Sequence, residues 1–103
     1  MPSHAPQARP PSLAALRERR DEVYDIARRH GASRIMIYGS VARGDERDDS
    51  DLDLLVDMDG GRTVLDLARL RRDLEALLAC RVELSTTVRP ELADSIMGSA
   101  VTL

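Results

Sequence analysis

The sequence predicts an α+β fold, a two-layer sandwich in which helices pack on a small mixed sheet. Three observations lead there. Apolar residues recur at helical spacing in two segments, at Leu13, Leu16, Val23, Ile26 and Ala27 and again at Leu67, Leu70, Leu74, Leu77 and Leu78. Short runs around Ile35, Leu54 and Leu84 are β-branched or alternate apolar with polar residues, the period of a half-buried strand. The 103 residues contain 43% hydrophobic residues with no Trp, no Phe and two Tyr, enough for one small domain around an aliphatic core.

Residues 1–11 contain Pro2, Pro6, Pro10 and Pro11 and are expected to form a disordered tail, which leaves 12–103 as the domain. Ser12 can cap a first helix that runs to Gly31. Arg34 to Tyr38, bounded by Gly31 and Gly39, suits a buried strand. Ser40 is a good N-cap for a short helical turn over Val41, Ala42 and Arg43, which Gly44 closes. Asp51 to Val56 reads as a second strand, and Gly60-Gly61 turns the chain into a second helix from about Thr63 to Ala79. A third strand follows over Cys80 to Thr86. Pro90 can open a last helix that ends near Gly98, ahead of the apolar stretch Ala100 to Leu103.

The net charge is -3 from 15 basic and 18 acidic residues, and every basic residue is Arg. Asp45 to Asp59 holds eight of the acidic residues and one Arg, so an acidic mouth sits in an otherwise positive chain. Such a mouth repels nucleic acid, and two tyrosines make a poor stacking platform, so direct nucleic-acid binding is not expected. No transmembrane stretch or signal peptide is visible, and a cytoplasmic protein is expected. Cys80 is alone and reads as a small buried residue. His30 sits where it can favour a helix dipole, and neither His suggests zinc.

The chemistry concentrates in Tyr38-Gly39-Ser40-Val41-Ala42-Arg43-Gly44 and Ser50-Asp51-Leu52-Asp53-Leu54. Gly39 lets the backbone turn sharply and approach a ligand closely, and free amides at the helix start attract phosphate. Arg43 adds a planar guanidinium suited to bidentate phosphate contact. Strand alternation aims Asp51 and Asp53 to one face, and two carboxylates that close call for a divalent cation, with Mg2+ or Mn2+ preferred by hard oxygen ligands. Together these parts can hold a metal-bound nucleoside triphosphate. A Walker A loop fails because Asp45 and Glu46 follow Gly44 where lysine and a hydroxyl residue are needed. An EF-hand starting at Asp49 fails because Leu54 and Gly60 stand where glycine and glutamate are required.

The string from Gly39 to Val56 resembles the signature of the minimal nucleotidyltransferases of the DNA polymerase β superfamily, and the likeness extends from about Ser12 to the C-terminus. The resemblance implies the polymerase β-like nucleotidyltransferase fold and metal-dependent transfer of a nucleoside monophosphate, with ATP as donor and AMP as the group moved. It further implies an antitoxin that acts on a HEPN-type toxin, in some members by adenylylating a tyrosine of that toxin. The family's third acidic residue falls on Glu83, where aspartate is commoner. The implied site is then Asp51, Asp53 and Glu83 as metal ligands and catalytic residues, with Gly39, Ser40 and Arg43 on the nucleotide. Two other readings share the motif: an antitoxin that neutralises its partner by contact alone, and a transferase acting on a small molecule.

Overall fold

The computed structural model describes residues 9–86 and 100–103. In chain order the elements are α1 (Leu13–Glu18), α2 (Arg20–Arg29), β1 (Ala32–Tyr38), α3 (Gly39–Arg43), β2 (Leu52–Met58), α4 (Val64–Leu78), β3 (Val82–Ser85) and β4 (Val101–Thr102). The sheet order is β3-β2-β1-β4. β1 pairs antiparallel with β2 and β4, and β2 pairs parallel with β3, so the sheet is mixed. The expected last helix from Pro90 to Gly98 lies outside the described residues, as do residues 1–8 of the expected tail.

Alternation along the strands fixes which face is covered. Ile35, Ile37, Leu52, Leu54, Val56 and Val82 are buried with Leu16, Val23 and Ala27 and with Leu70, Leu74 and Leu78, so the two apolar stripes close over one face of the sheet. Leu13, Ile26, Leu67 and Leu77 pack at the margin of that core. Tyr24 is buried too, and its hydroxyl accepts the Ile35 N–H at 3.2 Å, tying α2 to β1. His30 caps the end of α2 and meets Asp73 of α4, Nε2 to Oδ2 2.7 Å, so it joins two helices as well as sitting at a dipole end.

Two local details differ from the sequence reading. The first helix is broken at Arg19, with no Gly or Pro to mark the place. The break coincides with tertiary contacts: Arg19 donates to the Leu77 carbonyl at 3.0 Å and to Glu22 at 3.1 Å. The apolar end of the chain, expected only as a tail, forms edge strand β4 against Met36 and Ile37. Elsewhere the caps act as their residue types predict. Ser12 accepts the Ala15 N–H at 3.1 Å, and Thr63 opens α4 with its N–H donated to Asp66 at 2.9 Å.

Candidate active site

β1 delivers the chain to Gly39 at the open end of the sheet, where φ is +76°. That is left-handed backbone, which glycine adopts without strain. A Cβ built on Gly39 would overlap the Asp53 carboxylate, so the turn and the acidic strand are in intimate contact there. α3 begins at Gly39 itself, with Tyr38 as its N-cap and no side-chain cap bond. Ser40 is therefore the second residue of the helix and not its cap, because the turn tightens one residue earlier than a serine cap would require. Gly44 closes α3 at φ +79°, donating to the Ser40 and Val41 carbonyls as expected of a left-handed C-cap.

Strand register then assembles an open-face row. Tyr38 of β1 pairs with Asp53 of β2, and Asp53 pairs with Glu83 of β3. Residues paired across neighbouring strands point to the same side, so Asp53 and Glu83 share the uncovered face. Asp51 stands one residue before β2, close enough for its charge to act on Asp53. Partial burial pushes the Asp53 carboxyl above the usual carboxylate range, and the charges of Glu83 and then Asp51 push it further, while Arg43 opposes them. Arg43 is exposed, with its Nε 3.3 Å from Asp45.

Asp51 Oδ1 is buried and accepts no hydrogen bond, although Arg81 Nε lies 3.1 Å away. The half-buried Asp51 is balanced by the Arg81 guanidinium alone among the described residues, and together with the Asp53 carboxylate two residues on it gives hard oxygen donors that fit a divalent cation. Among the described residues no group of three or more His, Cys, Asp or Glu is arranged to hold a metal by itself. Asp51 and Asp53 would thus supply two ligands, with phosphate oxygens and water completing the shell, as Mg2+ favours. Glu83 is exposed, on the same row but at its outer end.

Of the residues expected at one site, the structure sets Gly39, Arg43, Asp51 and Glu83 around Asp53, with Ser40 next after Gly39 in α3; Glu83, expected as a third metal ligand, joins no group of three arranged for a cation among the described residues. The sequence reading missed the parts played by two residues. Tyr38 is only half-buried, and its hydroxyl lies 3.3 Å from Ser85 Oγ across the acidic row. Arg81 approaches Asp51 because β3 lies parallel to β2, a contact that sequence spacing does not reveal.

Residues 20–100 match the model of the nucleotidyltransferase domain. The chain belongs to that family. It is 36% identical over 88 residues to a provisionally named protein adenylyltransferase of Methanocaldococcus jannaschii, covering 84% of this chain and 95% of that protein. It is 33% identical over 79 residues to the protein adenylyltransferase MntA of Thermococcus cleftensis, covering 75% and 80%. A solved structure provisionally described as a minimal nucleotidyltransferase superposes with a TM-score of 0.79 at 46% identity, over 90% of this chain and 97% of that one. A toxin-antitoxin structure with AMP-PNP shares the fold at a TM-score of 0.67 and 17% identity, over 80% and 69%. The α+β fold with its four-stranded mixed sheet is thus the minimal nucleotidyltransferase fold, and the chain is an enzyme of the nucleotidyltransferase class.

Proposed function

We propose that this chain transfers AMP from ATP to a hydroxyl of a partner protein, in the cytoplasm, as the antitoxin of a HEPN-type toxin. The observation that carries this reading is the close approach of Gly39 to the Asp53 carboxylate, which leaves a glycine turn packed directly against the acidic strand. The protein adenylyltransferase names of the two curated relatives support it.

The chemistry asks mainly for position and charge neutralisation. The acceptor oxygen attacks the α-phosphorus in line, the new O–P bond forms as the bond to the β-phosphate oxygen breaks, and pyrophosphate leaves. Backbone amides at the start of α3, the Ser40 hydroxyl and the Arg43 guanidinium hold the triphosphate. Asp51 and Asp53 would hold Mg2+ or Mn2+, which would supply charge neutralisation at the phosphates. Glu83, exposed at the outer end of the row, takes the proton of the acceptor hydroxyl. Exposure suits that role, since the acceptor arrives from outside.

The test is to incubate the purified chain with ATP, Mg2+ and the HEPN-type protein encoded beside it, and to map modified residues by tandem mass spectrometry. AMP on a hydroxyl residue, lost with Asp53→Asn, is the expected result. Neutralisation of the toxin by wild type and Asp53→Asn alike, with no AMP on either product, would favour the contact antitoxin instead.

A further inference from the structure

We propose that the groove between the first turn of α4 and edge strand β3 is the docking site of the acceptor protein, and that it takes an apolar anchor flanked by acidic residues. This deepens the adenylyl-transfer reading above and rests on it. Among the described residues the large hydrophobics left in water are Val64, 83% exposed, and Leu65, 56% exposed, side by side at the start of α4. A hollow of about 230 Å³ runs from that turn to the acidic row, lined by Val64, Leu67, Ala68, Arg71, Glu83 and Leu84. The apolar turn and the proton-accepting Glu83 thus share one depression.

Charge identifies the occupant. The acids of α4 are engaged with the chain itself: Asp66 with the Thr63 N–H, Asp73 with His30, and Glu75 with the Val82 N–H at 3.0 Å. The arginines face outward. Arg69 and Arg72 line a second hollow with Leu65 and Ala68, and among the described residues neither makes a hydrogen bond or ion pair. An apolar centre with a positive flank is complementary to a segment carrying one buried apolar side chain and neighbouring Asp or Glu. A second copy of this chain fits poorly, because a two-fold interface on this face would bring two positive flanks together while the acids of α4 are already engaged within the chain.

The experiment measures binding of the HEPN-type partner by calorimetry, and AMP transfer as a function of partner concentration. The variants are Val64→Asp in the groove and the pair Arg69→Glu, Arg72→Glu on its positive flank, with Arg17→Glu on α1 as a surface-charge control. Each α4 variant should weaken partner binding roughly tenfold or more and raise the KM for partner in step, with kcat retained at saturation. The control should match wild type. Wild-type affinity and KM in both α4 variants would overturn the proposal, as would sedimentation showing that Val64→Asp dissolves a homodimer while partner binding is unchanged. Were wild type to bind the partner without modifying it, the adenylyl-transfer reading would fail, and calorimetry alone would still decide the surface.

Discussion

The two faces of β2 carry opposite loads. Leu52, Leu54 and Val56 are buried under the helices, while Asp53, one residue away from two of them, lies half-open on the other face, held between Tyr38 and Glu83 by the register. One strand therefore carries core residues on one face and the candidate site's carboxylate on the other, and its period of two keeps the two apart. The lesson is that stability and chemistry should be separable along a single strand, face by face.

The strongest way to break that separation is at the carboxylates. The Asp51→Asn, Asp53→Asn double variant should lose at least about 100-fold in transfer rate, the scale of losing a charge-stabilising group, while its circular dichroism stays that of the wild-type fold. On the covered face, Leu54→Ala should cost about 2–5 kcal/mol in urea unfolding, a large share of the stability of so small a domain. Gly39→Ala joins both columns. It strains a φ of +76° and pushes on Asp53, so it should cost about 1–3 kcal/mol and also weaken ATP binding in calorimetry.

A subtler distinction comes from pH. With its carboxyl pushed up by burial and by Glu83 and Asp51, Asp53 favours the fold in its protonated form. That contribution is complete below the ordinary aspartate range and is lost as pH rises through the raised value. Without divalent cation, Asp53→Asn should therefore melt higher than wild type at neutral pH, and the gap should close on acidification. Smallest of all, Cys80, buried and with its thiol pushed up to about 11, should resist thiol reagents at neutral pH until the protein unfolds.

Most of the architecture was legible because local rules and tertiary packing agree. The stripes at Leu16 and Val23 and at Leu70 and Leu74, the alternation of β2, and the glycines at 39 and 44 each name one structure. What escaped depends on contacts distant in sequence. The break at Arg19 accompanies a bond to Leu77, and β4 exists because Leu103 N–H finds the Ile35 carbonyl at 3.0 Å. Ser40 misled as a cap because serine favours that position generally, whereas here Gly39 lets the helix start first. For the site, spacing paired Asp51 with Asp53 and the family resemblance added Glu83, whereas its place beside Asp53 follows from the parallel register of β2 and β3.

The central claim is that the acidic row transfers a nucleotidyl group to a partner protein. Its most direct test is the intact mass of a HEPN-type protein, the proposed partner, after co-expression with wild type and with the Asp51→Asn, Asp53→Asn double variant. A gain of one or more AMP groups with wild type alone is the result expected. An unmodified partner in both cases, bound and neutralised equally well, would contradict it.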